Sequence, residues 1–191
     1  MKILFLLSAV LLAGCGGGPP QPDWQLNSIA ALNSFQQRYL RGETQAAEAE
    51  FGRARADLRS TGRSDLVARA ELVRCAARTA SLEFDNCPGF EELRADAGAE
   101  ELAYAEYLAG RADRASGDEA FSRLVSFGIK LNGNKITPPE ISSAIDIASA
   151  QGWRRPLLAW LGVQEKRAAA AGDSAALERI RRRISLILEK N

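Results

Sequence analysis

The chain has 191 residues, with 25 Lys and Arg against 24 Asp and Glu and no histidine. A net charge of +1 argues against a nucleic-acid binder, which needs a basic surface to neutralise phosphates. The missing histidine removes the commonest general base and the commonest zinc ligand together, so Ser-His-Asp, Cys-His and His-based metal chemistry are excluded and enzymatic function would rest on carboxylates.

In the opening residues, "MKILFLLSAVLLAGCGGG", a single charge at Lys2 precedes an uninterrupted weakly polar to apolar run from Ile3 to Ala13. That run is shorter than the roughly 20 apolar residues of a membrane span, and residues 1–14 read as a signal peptide. The residues "LAGC" at 12–15 resemble the lipobox of bacterial lipoproteins. The resemblance implies that Cys15 carries a thioether-linked diacylglycerol, that cleavage falls between Gly14 and Cys15, and that the new N-terminus is acylated, as by palmitate. Two or more acyl chains hold a protein stably on a bilayer, so the expected membrane partner is engaged through Cys15, tethered and not spanning. Gly16, where an aspartate would signal retention, implies the outer membrane of a diderm host, facing the periplasm. Cleavage leaves 177 residues with 24 basic and 24 acidic side chains, enough for a domain with its own core.

Residues 15–22 hold the lipidated cysteine and "GGGPPQP", a glycine- and proline-rich stretch with nothing apolar to bury, which reads as a flexible tether. A single α-helical domain is expected over 23–191, opening with Asp23 as N-cap ahead of Trp24. No run shows strand-like alternation between turn residues. Leu66, Ala70, Val73, Ala77, Ala80 and Phe84 share one helix face, as do Leu177, Ile180, Ile184, Ile187 and Leu188. "TPPE" at 137–140 places Thr137 at an N-cap, Pro138 at the first helical position and Glu140 at the capping-box position. Glycine followed by an acid recurs at Gly42-Glu43, Gly117-Asp118 and Gly172-Asp173, each between two helical patterns. The expected fold is all-α: antiparallel helical hairpins stacked as an array or an irregular bundle.

In "FQQRYLRGETQAAEAEFGRA", residues 35–54, Gly42, Ala47, Phe51 and Ala54 carry the spacing found around the internal turn of a tetratricopeptide unit, which this hairpin resembles. A weaker echo lies at 168–184, where Gly172 is kept and Leu177 stands in the small-residue position. The intervals between the three glycines, 75 and 55 residues, do not fit a repeat of about 34. The tetratricopeptide resemblance therefore implies a helical array with a concave face, without a periodic sequence.

Beyond Cys15, Cys75 and Cys87 remain. An oxidising envelope compartment favours a bond between them; two thiols without histidine make a poor metal site, and the spacing is not that of a C-x-x-C catalyst. No metal or other cofactor is expected. An unbroken helix from 75 to 87 would hold the two Cα atoms about 18 Å apart, outside disulfide range. The turn signal "DNCPG" then predicts a reversal at 83–86 and a helix that stops near Ala80 to Leu82. Cys75, opposite Val73 and beside Leu72, predicts that this helix is covered on both sides.

Residues 83–106 hold eight acids against Arg94 alone, with Tyr104 and Tyr107 alongside. No acid there stands in an apolar surround of the kind that raises a catalytic pKa. From Gly152 to the C-terminus nine basic residues face four acids, and Arg179, Arg182 and Arg183 fall opposite the apolar stripe of the last helix. That face is either the solvated side of a capping helix or a surface for anionic headgroups, and the opposite charges of the two regions also suit an intramolecular contact. Trp24, Trp153 and Trp160 are expected in the core. The leading functional expectation is a non-enzymatic helical-repeat adaptor that binds another envelope protein or peptide. The alternatives are a carboxylate-dependent peptidoglycan or peptide hydrolase centred on 83–106, and an accessory subunit that only positions a partner at the membrane.

Overall fold

The computed structural model describes residues 22–114 and 117–189, which form nine α-helices and one 3₁₀ turn with no strand among the described residues. The signal peptide, Cys15 and nearly all of the tether lie outside the described residues. No described helix is long and apolar enough to cross a membrane.

Helices α1 (Asp23–Arg41) and α2 (Thr44–Arg59) form the first hairpin. Its turn follows from Gly42, whose φ of 85° lets the Gly42 and Glu43 amides donate back to the Tyr39 and Arg38 carbonyls. Ala47 and Ala54 are fully buried, and Phe51 packs on Phe35 with ring centroids 5.2 Å apart. Small side chains let the helices approach and the aromatic pair fills the remaining space.

Helix α3 (Ser64–Ala80) is the pivot of the fold. Its Val67, Ala70 and Ala77 face a cluster built with Phe35, Tyr39 and Phe51, while Ala68, Leu72, Cys75 and Ala76 face the larger cluster that continues to the last helix. The helix is covered on both sides and stops at Ala80, as the cysteine spacing requires. Phe84 accordingly leaves the helical stripe on which the periodicity places it. It sits on the following loop, 42% exposed, because the helix ends at Ala80, four residues before it, and the chain turns at Leu82.

The short α4 (Pro88–Glu91), the 3₁₀ turn Arg94–Asp96 and α5 (Ala99–Leu108) return along α3, and α6 (Ala120–Asn132) crosses it. The crossing is close at Gly128, where a Cβ would stand 2.3 Å from the Thr79 carbonyl oxygen, so only glycine fits. The left-handed turn after α5 is made by Gly110 at φ 71°, not by Gly117, because Gly110 directly follows the last helical turn.

Helix α7 (Pro138–Ala150) begins at Thr137, whose amide donates to Glu140 Oε2 at 2.9 Å, as the "TPPE" motif predicts. Helices α8 (Arg154–Ala170) and α9 (Ser174–Leu188) meet at Gly172, left-handed at φ 69°. Trp160 of α8 is fully buried and donates its indole N–H to the Ala80 carbonyl at 3.3 Å. Trp153 is 4% exposed and Trp24 is half-buried. The start of α8 therefore lies against the ends of α1 and α3.

Candidate functional site

The site is assembled around the loop 81–87. Leu82 and Cys87 both adopt left-handed backbone conformations, at φ 61° and 48°, so the loop bends sharply at each end. The bend at Leu82 carries the same paired amide bonds, to Thr79 and Arg78, that glycine makes elsewhere in this fold. Leu82 tolerates the conformation while packing on the main core. The bend at Cys87 brings its Cα to 5.7 Å from that of Cys75, with the two sulfur atoms at disulfide distance.

Two further clasps hold the loop. The Tyr39 hydroxyl donates to Glu83 Oε2 at 2.7 Å, and Arg155 Nη1 donates to Glu83 Oε1 at 2.9 Å. The same guanidinium donates through Nε to the Tyr39 carbonyl at 2.8 Å, bonds the Thr44 hydroxyl, and lies 4.2 Å from the Tyr39 ring centroid. Burial, reinforced by the bond to Glu83, pushes the Tyr39 hydroxyl well above the ordinary phenol range. Asp85 accepts from the Cys87 amide at 3.0 Å and pairs with Arg78 at 3.1 Å. Phe84 and Asn86 are exposed and take no part in these bonds.

Those two side chains stand beside a depression of about 470 Å³, lined at its base by Phe90, Ala105 and Leu108 and at its walls by Asp85, Glu91, Arg94 and Arg111. A second opening of about 420 Å³, between α3 and α5, is bounded by Glu100, Glu101, Arg69 and Tyr104. The acidic segment therefore borders concave surface. Burial raises the Tyr104 hydroxyl to about 12.

The acids themselves are occupied. Of the eight in 83–106, six lie within ion-pair distance of an arginine: Glu83 with Arg155, Asp85 with Arg78, Glu91 with Arg94, Glu100 and Glu101 with Arg69, and Glu106 with Arg111 and Arg94. Arg94 takes Glu91 in two parallel bonds of 2.7 Å, and Arg111 takes Glu106 at 2.5 and 2.9 Å. The bond from Arg94 holds the Glu91 carboxyl below its ordinary range, and the bond from Arg111 does the same for Glu106.

One acid of the segment, Glu101, is buried but met by an arginine, and a second carboxylate, Glu71, is buried outside the segment. Glu101 is 6% exposed and accepts from Arg69 Nε at 2.7 Å. Glu71 of α3, outside the acidic segment, is 4% exposed, and desolvation raises its pKa against the opposing pull of Arg55 and Arg74. Arg55 Nε lies 2.9 Å from Glu71 Oε1, yet that N–H makes no bond of hydrogen-bond geometry. The Glu71 carboxyl is pressed against Gly89, where a Cβ would fall 2.3 Å from Oε2. It is sealed beneath α4 and lines neither depression, and its pKa is raised first by burial and further by the nearby Glu92 and Glu48 charges.

Donor atoms of Cys75, Asp85 and Cys87 lie within 4.8 Å of one another. With the sulfurs paired and Asp85 held by Arg78, this set offers no open ligand group. Periodicity misplaced Phe84, and local charge counting missed Arg69, Arg78 and Arg155, which reach the acids from α3 and α8. The Glu83–Arg155 pair is the contact between acidic and basic regions that their opposite charges suit. Comparison with protein-family models, with curated proteins and with solved structures finds no match for this chain.

Proposed function

We propose that the chain is a lipoprotein of the bacterial cell envelope, acylated at Cys15 and carried on the 15–22 tether, whose tetratricopeptide-like helical domain binds a protein or peptide partner without catalysing a reaction. The observation that carries the reading is Phe84. A large aromatic side chain is held 42% exposed beside a depression with an apolar base, on a loop fixed by Tyr39, Arg155, Arg78 and the Cys75–Cys87 pair. A rigidly presented aromatic next to a pocket is the usual energetic centre of a protein interface, because little ordering entropy is lost on binding.

A photo-crosslinker at position 84 in cells is expected to capture a discrete protein, and Phe84→Ala to weaken that complex by about tenfold or more. Capture of no discrete species from position 84, or from Asn86 beside it, sinks the reading. Incorporation of a clickable fatty acid is expected in the unmodified chain and absent after Cys15→Ser; label that persists removes the anchor.

The hydrolase reading keeps one point in its favour, the concave surface beside the acidic segment. Acid catalysis near neutral pH needs a carboxyl that holds its proton, and the resolved shifts among these acids, at Glu91 and Glu106, run downward. Release of muropeptides from peptidoglycan by the purified protein would reverse this ranking.

A further inference from the structure

We propose that one flank of α9 is a docking surface for an anionic phospholipid bilayer. The proposal rests on the acyl anchor for the proximity of the bilayer, but its chemistry is that of the flank itself. Ala175, Arg179, Arg182, Arg183 and Leu186 recur at i, i+4, i+7, i+8 and i+11, which places them on one side of the helix, and all five are exposed. The opposite side, with Ile180, Ile184 and Ile187, packs on the core, so the flank is fixed outward by the helix's own stripe.

The arginines here are largely unspent. Arg181, on the other flank, bonds Glu165 at 2.8 Å. Arg182 reaches Glu178 only at 3.7 Å, with both side chains about 70% exposed, a pair worth little in water. Arg179 and Arg183 have no carboxylate within ion-pair distance among the described residues. Leu186, among these cations, is 69% exposed, more than any other large hydrophobic in the described chain.

An interfacial helix has this arrangement, with guanidinium groups bonding lipid phosphates while an apolar side chain enters the boundary between headgroups and acyl chains. The flank is the convex surface of a single helix, which suits a bilayer plane; the chain's apolar depressions lie elsewhere, beside Phe90 and between α7, α8 and α9. A tether of eight residues reaches at most about 28 Å, so an anchored chain meets the bilayer at high effective concentration and a weak second contact becomes significant.

The test uses the full lipidated chain carrying Leu186→Cys labelled with an environment-sensitive fluorophore. It is mixed with vesicles of phosphatidylcholine alone or with one third phosphatidylglycerol. On the anionic vesicles the emission is expected to shift to the blue and aqueous quenching to slow, with both changes reversed by 0.5 M salt. Each arginine contributes about fivefold to such a contact, so Arg179→Gln, Arg182→Gln and Arg183→Gln together are expected to weaken it on the order of 100-fold. Equal emission on the two vesicle types overturns the proposal, as does a response that survives the triple exchange. A response to soluble polyglutamate but not to anionic vesicles overturns it in favour of an acidic protein partner. Flotation with the neutral vesicles reads the acyl anchor separately: a chain that fails to float there lacks the anchor, while the fluorophore on anionic vesicles still reads the flank.

Discussion

Residues 83–106 and helix α9 are both strongly charged in sequence, one acidic and one basic, yet the fold treats them in opposite ways. In the acidic segment six of eight carboxylates meet an arginine, several of them supplied by α3 and α8. In α9 the cations at 179 and 183 meet no acid among the described residues and face solvent. Net charge per segment is thus a poor guide to function, because it omits the counter-charges that folding brings in. What matters is where the partner comes from: within the chain for 83–106, and, as proposed above, from the bilayer for α9.

The largest test of this contrast is the staple that positions the acidic segment. Cys75→Ser with Cys87→Ser removes the cross-link between residues twelve apart, expected to cost about 3 kcal/mol and to lower the melting temperature by roughly 6 to 12 °C. Alkylation of the native chain under denaturing, non-reducing conditions is expected to find neither thiol free. An unchanged melt, or two alkylated thiols, would detach the acidic segment from its proposed support.

Next is Arg155, which joins the basic and acidic regions. Arg155→Met removes three hydrogen bonds and the stacking on Tyr39, an expected loss of about 2 kcal/mol by urea unfolding. Glu83 is 37% exposed, so solvent screening limits the pair itself to a coupling of about 1 kcal/mol in a double-mutant cycle with Glu83→Gln. Coupling below about 0.3 kcal/mol would make the contact incidental.

Much of the architecture follows from local rules. The α1–α2 turn at Gly42, the Thr137 cap and the stop of α3 near Ala80 depend on a few adjacent residues, or on the reach of one disulfide, and these are legible in sequence. The candidate site is legible only in part. Phe84 continues the α3 spacing, so periodicity assigns it to the helix stripe; the turn signal that follows predicts the reversal, but not that Leu82, a residue not expected in a left-handed bend, makes it and leaves Phe84 exposed. The Tyr39–Glu83–Arg155 clasp joins residues 44 and 72 positions apart, and Gly128 is needed because α6 meets the Thr79 carbonyl. Such requirements belong to the packing of distant elements, which composition and spacing do not encode.

A smaller effect is expected from acid. Glu91 and Glu106 have folded-state pKa values below their unfolded ones, so below the usual carboxylate range the unfolded chain binds more protons. Their contribution is present above about pH 4.5 and is lost as pH falls through the folded values. Both groups are solvent-accessible, so the effect is small, and Arg111→Gln is expected to flatten the acid limb of the stability–pH profile. Identical acid limbs in the two proteins would mean that Arg111 does not set the Glu106 titration.

The smallest expected effect separates the two regions most sharply. If the α9 arginines face outward with no internal role, Arg179→Gln with Arg183→Gln leaves urea stability unchanged within about 0.5 kcal/mol, as for surface positions away from buried partners. The same kind of charge removal at Arg155 costs several times more, so the two variants measured side by side compare a cation the fold uses with cations it does not. A loss of about 1 kcal/mol or more in the α9 variant would show that these side chains hold the helix to the body. The helix's only buried side chain is Ile180, with Leu177, Ile184 and Ile187 partly buried beside it, so its attachment is expected to fail instead on Ile180→Ala, where apolar contact is lost and no charge changes.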